Sequence, residues 1–280
     1  MSPTCCSTGS VVRVDELSLV RRMAENVLKR STEYLSSHPD YDEVLARRAT
    51  DVTRKIDMVA EEALDAAIDE EGIAARVISE ELGERLVPAN KEPEYTLVMD
   101  PIDGSANLVM GIPYYCTSLA LSKKSHGATF ADIDAGAVAA IWGSTFYASK
   151  GKGAFYDGER IITKEHPEKP RYIVYSYGVG PIPKSVIALV EEKCIVRTMG
   201  SIALDMCYVA KGSLDAIIDT RKRISGYDIM ASALILREAG GVITDYSGGD
   251  LSGLPVNVSG ISILGAANGA LHDKLLKGSR

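Results

Sequence analysis

The sequence has few cysteines and lacks any cysteine motif. Its five cysteines are an odd number in 280 residues, and no two have the Cys-x-x-Cys spacing. Neither a zinc site nor a disulfide framework is therefore indicated, and a reducing cytoplasm is the simplest compartment. A basic excess is also missing, because 31 Lys and Arg stand against 38 Asp and Glu, for a net charge of −7. We expect no nucleic-acid partner, whereas a small anionic substrate is compatible if bound cations reverse the local charge.

Long hydrophobic runs are missing as well. The longest uncharged stretch, Leu251 to His272, is interrupted by Pro255, Asn257 and Asn268, and the N-terminus has no apolar core of signal-peptide length. We therefore expect no membrane span and a cytoplasmic protein. An apolar content of 46% and a charged content of 25% are those of an ordinary soluble globular protein. The length predicts one large domain or two smaller ones.

Hydrophobic spacing predicts mixed secondary structure in the first part of the chain. Helical patterns cover 16–34 and begin again at Asp57, ending at Gly72. Strand patterns follow with short connections, and Asp157-Gly158 is a hairpin signal, so an antiparallel sheet is indicated. The predicted strands are 75–81, 95–99, 116–123, 133–142 and a strand-rich run over 145–162.

The charged stretch Lys164–Pro170 contains two prolines and predicts a boundary between a domain 1–169 and a domain 170–280. From Arg171 onward, strand and helix patterns alternate. This alternation favours a mixed, largely parallel sheet with helices on its faces. The predicted strands are 172–176, 194–197, 214–218, 242–244 and 261–265, and the predicted helices are 183–192, 201–211, 228–238 and 270–276.

The most informative stretch is Asp100-Pro101-Ile102-Asp103-Gly104-Ser105-Ala106-Asn107, which follows the apolar strand 95–99. Two carboxylates three residues apart lie on a turn that Pro101 and Gly104 shape. Such a turn can direct both carboxylates and a backbone carbonyl at one point, a set of hard oxygen ligands that suits Mg²⁺. The alternative is an ordinary turn with solvated acids.

The whole string resembles the signature of the inositol monophosphatase superfamily of Mg²⁺-dependent phosphomonoesterases: Asp-Pro, an aliphatic residue, Asp-Gly, Ser or Thr, any residue, Asn. The resemblance extends from about Asp15 to Lys277. It implies an α+β / α/β fold, a layered αβαβα sandwich in which an antiparallel-sheet domain precedes a mixed-sheet domain and the site lies between them. Family members are commonly dimers, so a homodimer is expected.

The resemblance also implies the metal ligands. Glu80 belongs to a Glu-Glu pair about twenty residues before the signature, and Asp228 precedes a helix that ends in Glu-Ala-Gly-Gly. One Mg²⁺ would take Glu80, Asp100 and the Ile102 carbonyl, and a second would take Asp100, Asp103 and Asp228. Glu80 would hold a third ion through water. From the residues alone, Glu80 is equally an exposed acid and Asp228 a helix N-cap.

The implied catalytic residues are Asp57, Ser105 and Glu80. Asp57 and Ser105 would orient the attacking water, and Asp51 lies the expected six residues before Asp57, although the residues between them differ from the usual Val-Thr run. Attack would be direct and in line, without a covalent phosphoenzyme, and the N–H groups of Gly104 and Ser105 would bind phosphate oxygens. An Asp at a helix start is also a favoured N-cap, which is the alternative for Asp57.

The implied substrate-binding residues combine the signature with a later segment. The basic run Arg221-Lys222-Arg223 resembles a branch, common in archaea, whose members hydrolyse both fructose 1,6-bisphosphate and inositol phosphates. Arginines suit a second phosphate because they can bind it with two hydrogen bonds. The alternative is a solvated charge run. The expected contacts are Asp103, Gly104, Ser105, Arg197, Gly200, Ser201 and Arg221.

The expected function is therefore Mg²⁺-dependent hydrolysis of a small-molecule phosphate monoester, either fructose 1,6-bisphosphate or inositol monophosphate. One alternative is a nucleotide phosphatase acting on 3′-phosphoadenosine 5′-phosphate. Another is a catalytically silent regulatory member of the superfamily. Retention of Glu80, Asp100, Asp103 and Asp228 argues against the silent member, because four acids close together have no use without cations.

Overall fold

The computed structural model describes residues 15–47, 52–178, 182–191 and 193–278. The first elements are α1 (Glu16–Ser37), β1 (Val44–Arg47), β2 (Val52–Arg54) and α2 (Lys55–Glu71). Both predicted helices are confirmed, and β1 and β2, which pair antiparallel, were not predicted. Gly72 ends α2 in a left-handed conformation (φ 69°). Asp51, used above for its spacing from Asp57, lies outside the described residues.

The next part of the chain forms the first sheet. Its elements are β3 (Ala75–Ser79), β4 (Gly83–Val87), β5 (Tyr95–Asp103), α3 (Ser105–Val109), β6 (Cys116–Ser122), β7 (Ala135–Ala140), β8 (Thr145–Ser149), β9 (Gly153–Tyr156) and β10 (Glu159–Ile161). The strand order is β10-β9-β8-β7-β6-β5-β3-β4, in which β3 and β5 are parallel and the other described pairings are antiparallel. The predicted hairpin is confirmed, since Asp157 and Gly158 both have positive φ.

The last part forms the second sheet. Its elements are β11 (Arg171–Tyr175), α4 (Lys184–Glu191), β12 (Ile195–Arg197), α5 (Ile202–Ala210), β13 (Ala216–Ile224), α6 (Gly226–Glu238), β14 (Val242–Asp245), β15 (Ile261–Ala266) and α7 (Gly269–Gly278). The strand order is β12-β11-β13-β15-β14. The sheet is mixed, as predicted, with two parallel and two antiparallel pairings, so it is less parallel than the alternation of strands and helices indicated.

These elements stack in five layers. The apolar faces of α1 and α2 pack on one face of the first sheet. α5 and α6 fill the space between the two sheets, and their core includes residues from both. α4 and α7 cover the outer face of the second sheet. The αβαβα sandwich is thus confirmed, and residues 162–170 connect its two sheets, where the domain boundary remains a prediction. Within the described ranges, no helix is long and apolar enough to cross a lipid bilayer.

Candidate active site

The first four residues of the signature, Asp100 to Asp103, are the last four of β5, and the strand bulges there. Asp100 pairs with Ser118 of β6 and Asp103 with Cys116, so three steps along β5 match two along β6. Residues three apart in a regular strand point to opposite faces, and the extra residue of the bulge turns both carboxylates to the same side. Pro101 lies in the bulge, where its carbonyl accepts a hydrogen bond from a threonine hydroxyl of β6 (2.8 Å). Strand geometry therefore brings the two acids together.

Gly104 permits the turn that follows the two acids. Its φ is +99°, a left-handed value that glycine adopts without steric cost. A Cβ at this position would lie 3.0 Å from the carbonyl oxygen of Tyr114 and 3.0 Å from the Cβ of Tyr115. α3 begins immediately afterwards at Ser105, whose side chain is half-buried. Both the backbone conformation and the close packing therefore require glycine.

Asp103 is held by the N-terminus of α5. Its Oδ2 accepts hydrogen bonds from the Ser201 hydroxyl (2.6 Å) and the Ala203 N–H (2.7 Å), and its Oδ1 accepts one from the Ile202 N–H (3.2 Å). The N-terminus of a helix stabilises negative charge. Ser201 is the N-cap of α5 and is fully buried. The structure therefore places the Ser201 hydroxyl against Asp103, not on the substrate side where the sequence predicted it.

Glu80 lies in the turn after β3, and α2 holds this turn. The Glu61 carboxylate of α2 is fully buried, accepts a hydrogen bond from the Glu81 N–H (3.2 Å) and pairs with the Arg85 guanidinium (2.8 Å). The Thr53 hydroxyl donates to the Glu81 carboxylate (2.6 Å). Contacts from β2 and α2 therefore fix the backbone that carries Glu80.

Asp57 and Asp228 occupy equivalent positions in their helices. Each is the third helical residue and accepts a hydrogen bond from the backbone N–H of the N-cap residue, Arg54 (2.7 Å) or Ser225 (2.6 Å). The alternative interpretation of both acids as N-caps is thus wrong by three positions, although each does stabilise its helix start. Asp57 lies one turn before Glu61, on the side of α2 that faces the turn after β3.

Burial raises the pKa of three of the predicted acidic metal ligands, and neighbouring acids add to the rise for Asp100 and Asp228. Burial raises the pKa of Asp100 well above its usual value, and the nearby charges of Glu80, Asp103 and Asp228 raise it further. Desolvation raises the pKa of Asp228 to about 8, although the Ser225 N–H lowers it. Burial raises the pKa of Asp103 to about 6 against the opposing hydrogen bonds from α5. Four acids from three distant segments thus converge, at a cost in stability that bound cations would offset.

The donor set fits a hard divalent cation chemically. Carboxylate oxygens are the ligands that Mg²⁺ prefers. In the part of the chain that the structure describes, no three acidic, His or Cys side chains are oriented as ligands of one ion. Asp103 and Asp228 instead accept hydrogen bonds from backbone N–H groups. A carboxylate offers about four lone-pair sites, so these hydrogen bonds leave room for a cation.

A cleft of about 510 Å³ opens beside the acids. Of the predicted metal ligands, Glu80, Asp103 and Asp228 line it, and Asp100 is almost fully buried. Of the predicted substrate contacts outside the signature, Gly200 and Arg221 line it. Arg197 is exposed at the end of β12, where its guanidinium donates to the carbonyl of its own neighbour (2.8 Å). The predicted residues outside this lining are Asp57, Asp100, Ile102, Gly104, Ser105, Arg197 and Ser201.

The basic run lies within a strand that extends six residues beyond the end of the predicted strand 214–218. β13 extends to Ile224, and its register with β15 shifts between Asp219 and Ile224. Arg221 and Arg223 line the cleft. Lys222, which has a positive φ (55°), lines a separate surface pocket beside β15, and its N–H donates to the Ser262 hydroxyl (2.9 Å). The sequence of a charged run does not reveal a register shift between two strands. The different orientations of the three side chains could therefore not be predicted from it.

Arg221 is tightly held. Its Nε and Nη2 donate to the buried Asp219 carboxylate (2.8 and 2.7 Å), and its guanidinium lies over the ring of Tyr175 (4.4 Å) and near that of Tyr177 (5.2 Å). Ion pairing and cation–π contact together fix its direction. Arg223 is exposed and donates to a backbone carbonyl (3.0 Å). Both arginines thus present positive charge to the cleft. The Arg221 side chain is held firmly, and the Arg223 side chain is held by fewer contacts.

Sequence reasoning gave no role to a group of polar residues behind the cleft. Asp205 is fully buried on α5 and accepts hydrogen bonds from the hydroxyls of Tyr114 and Tyr175. The Asn107 amide of the signature donates to the carbonyls of Tyr114 and Met199 (both 2.8 Å). One signal was available, since Asp205 is the only charged residue in the otherwise apolar helix α5. Its phenolic partners could not have been identified.

Buried carboxylates gathered at a polar cleft inside an αβαβα sandwich are compatible with a metal-dependent hydrolase. Comparison with known families agrees with that class. The chain belongs to the inositol monophosphatase family, whose model matches residues 11–280.

Known relatives support the same assignment. The chain is 33% identical over 262 residues to the fructose-1,6-bisphosphatase/inositol-1-monophosphatase of Methanothermobacter thermautotrophicus, covering 91% of this chain and 93% of that protein. It is also 33% identical over 281 residues to a bifunctional NADP phosphatase/NAD kinase of Methanococcus maripaludis, covering 94% of this chain and 49% of that longer protein. A solved Pyrococcus horikoshii protein, described as similar to inositol-1 monophosphatase, superposes with a TM-score of 0.74 at 28% identity over 92% of this chain and 96% of that one.

Proposed function

We propose that this protein is a Mg²⁺-dependent phosphomonoesterase that hydrolyses fructose 1,6-bisphosphate to fructose 6-phosphate and inositol monophosphate to inositol. The observation that carries the proposal is the convergence of four acids, since Glu80, Asp103 and Asp228 line one cleft and Asp100 is buried beside them. Such a group is costly unless cations neutralise it, and phosphate esters are anions that the same cations attract. A homodimer and a cytoplasmic location belong to the same proposal.

The proposed ligand sets are those implied by the sequence. Glu80, Asp100 and the Ile102 carbonyl would hold one Mg²⁺, Asp100, Asp103 and Asp228 a second, and Glu80 a third through water. Bound Mg²⁺ would neutralise charge on the phosphoryl oxygens and favour attack by water and departure of the alkoxide. Asp100 is almost fully buried and accepts a hydrogen bond from the Ile102 N–H (3.0 Å). A buried carboxylate without a counter-charge is unfavourable, so this position suits a ligand shared by two cations.

The protein's own groups would bind and orient the reactants. Asp57 and Ser105 would orient the attacking water as a carboxylate–hydroxyl pair, and the N–H groups of Gly104 and Ser105 would bind phosphate oxygens. The N-terminus of α5 holds the Asp103 carboxylate in place during this step. No side chain needs to form a bond to phosphorus, so hydrolysis is direct.

The decisive test of the proposal is metal removal. EDTA-treated protein should release no phosphate from fructose 1,6-bisphosphate or inositol 1-phosphate, and Mg²⁺ should restore release in a saturable way. Phosphate release from NADP and from 3′-phosphoadenosine 5′-phosphate should also be measured. NADP is included because the Methanococcus relative is a bifunctional NADP phosphatase/NAD kinase, and 3′-phosphoadenosine 5′-phosphate is the nucleotide alternative. Full activity without divalent metal would refute the metal role. Faster turnover of a nucleotide than of either sugar ester would replace the proposed substrate.

Arg221 and Arg223 are the proposed contacts for the second phosphate of a bisphosphate. Arg221→Ala should raise the KM for fructose 1,6-bisphosphate more than that for inositol 1-phosphate, by about tenfold in the ratio, because a charged hydrogen-bonded pair is lost with only one substrate. Loss of the Asp219 ion pair affects both substrates and cancels in that ratio. Lys222→Ala removes the same charge from the opposite side of the strand and should leave the ratio unchanged. Equal losses for both substrates would contradict the assignment.

A further inference from the structure

A buried carboxylate outside the group of metal ligands anchors one wall of the cleft. Asp205 accepts hydrogen bonds from the hydroxyls of Tyr114 (2.7 Å) and Tyr175 (2.5 Å) and is fully buried. Tyr114 precedes β6 in the first sheet, and Tyr175 ends β11 in the second. Asp205 lies on α5 between the sheets. Its carboxylate is therefore hydrogen-bonded to one residue from each sheet region. Two phenolic donors supply the partners that a buried carboxylate requires.

Tyr175 carries this connection to the surface of the cleft. Its hydroxyl donates to Asp205 and accepts a hydrogen bond from the Gly200 N–H (2.9 Å). Gly200 ends the turn 198–200, and all three residues of the turn line the cleft. Ser201 follows at once and starts the helix N-terminus that holds Asp103. The turn thus lines the substrate side of the cleft, whereas Asp103 is held by Ser201, Ile202 and Ala203, which follow the turn.

The turn 198–200 has little freedom to move independently of these contacts. The Asn107 amide donates to the Met199 carbonyl (2.8 Å), which ties the turn to the signature. Gly200 has φ +95°, and a Cβ there would lie 2.7 Å from the Asn107 amide nitrogen. The turn is therefore held from two directions, by Asn107 on one side and by Tyr175 on the other.

We infer that Tyr175 is a positioning residue for substrate binding, which fixes the turn 198–200 as a wall of the cleft and is itself fixed by Asp205. The inference rests on the proposed function only in requiring that a phosphate ester occupy the cleft. A residue that merely filled the core would act through its ring. The Tyr175 ring packs against Arg221 (4.4 Å), whereas its hydroxyl alone reaches Gly200. Removing the hydroxyl and keeping the ring separates the two roles.

The test compares Tyr175→Phe with Tyr114→Phe. Each variant removes one hydroxyl donor to Asp205, but only the first also removes the acceptor of the Gly200 N–H. For Tyr175→Phe, the KM for fructose 1,6-bisphosphate should rise about tenfold while kcat changes by less than about threefold, since loss of uniform binding appears in KM. For Tyr114→Phe, which lies outside the cleft lining, KM should stay near the wild-type value at a comparable loss of thermal stability. A similar KM change in both variants, or in neither, would overturn the inference.

A second measurement does not depend on any substrate. Amide hydrogen exchange at Gly200, followed by NMR in the intact protein, should accelerate at least about tenfold in Tyr175→Phe and remain slow in Tyr114→Phe. Trp142 is the only tryptophan and lies against Tyr114 (6.0 Å between rings), so its fluorescence reports whether both variants are folded. Absence of activity in the wild type would refute the proposed function and leave this measurement decisive. Equal Gly200 exchange in the two variants would overturn the positioning role.

Discussion

Asp57→Asn should lower kcat by about a thousandfold or more while the protein stays folded. The asparagine oxygen can still accept the hydrogen bond that the Arg54 N–H donates to Asp57 (2.7 Å), so the start of α2 is preserved. What disappears is the negative charge proposed to orient the attacking water with Ser105. Asp57 is almost fully buried, and few solvent molecules can substitute for it.

This substitution distinguishes the catalytic interpretation of Asp57 from the helix-start interpretation. If Asp57 only stabilises α2, Asp57→Asn changes stability by about 1 kcal/mol and leaves turnover nearly unchanged. Asp69→Asn removes the same charge from an exposed position on α2 and serves as the matched control. Steady-state phosphate release and thermal unfolding of the three proteins decide the question. A near-wild-type kcat in Asp57→Asn would remove Asp57 from the site.

The identities of the acids were predictable because short strings carry local turn chemistry. Asp100 and Asp103 stand beside Pro101, whose φ is fixed, and Gly104, which can adopt a positive φ. These two residues predicted a turn, and the structure has a strand bulge at the acids followed by the turn at Gly104. The common direction of the two acids was expected, but its structural basis was not predictable, since it depends on one extra residue in the pairing of β5 with β6. The register between two strands depends on how both of them pair, so it could not be predicted from the sequence of either strand alone.

Sequence alone was even less able to predict which residues line the substrate side of the cleft. Arg197 and Arg221 were equivalent candidates by residue type, yet the structure leaves Arg197 on an exposed strand end and turns Arg221 into the cleft. The difference follows from the register shift in β13 and from the buried Asp219 that binds Arg221. Asp205 was overlooked for a related reason, because its two tyrosine partners lie 91 and 30 residues away in the chain. Long-range hydrogen bonds of this kind leave no local pattern.

Asp100→Asn should abolish turnover and make the metal-free protein more stable at neutral and alkaline pH. Asp100 is the proposed ligand of two cations, so its loss removes a contact from both. In metal-free protein the same carboxylate is buried beside Glu80, Asp103 and Asp228, which raise its pKa. The asparagine amide carries no charge and relieves this repulsion. The substitution therefore lowers turnover but raises the free energy of unfolding of the metal-free protein.

The pH dependence of the free energy of unfolding tests this prediction most directly. Asp103 and Asp228 have folded-state pKa values raised to about 6 and about 8, above the value of about 3.9 in an unfolded chain. The folded protein therefore holds protons that the unfolded chain has released, and the contribution of these groups to the free energy of unfolding falls as pH rises from about 4 to about 8. Asp100 has a raised pKa of its own and contributes to the same fall, so Asp100→Asn, which removes that carboxyl, makes the fall shallower.

Urea unfolding in EDTA at several pH values between 5 and 8.5 measures this slope directly for the wild type, Asp100→Asn and Asp69→Asn. The wild type and the Asp69→Asn control should lose stability in parallel, and Asp100→Asn should lose less. Added Mg²⁺ should then stabilise the wild type at pH 8 far more than Asp100→Asn, because a cation bound only by the folded state raises its stability. Parallel curves for all three proteins, together with equal stabilisation by Mg²⁺, would show that Asp100 neither repels its neighbours nor binds metal.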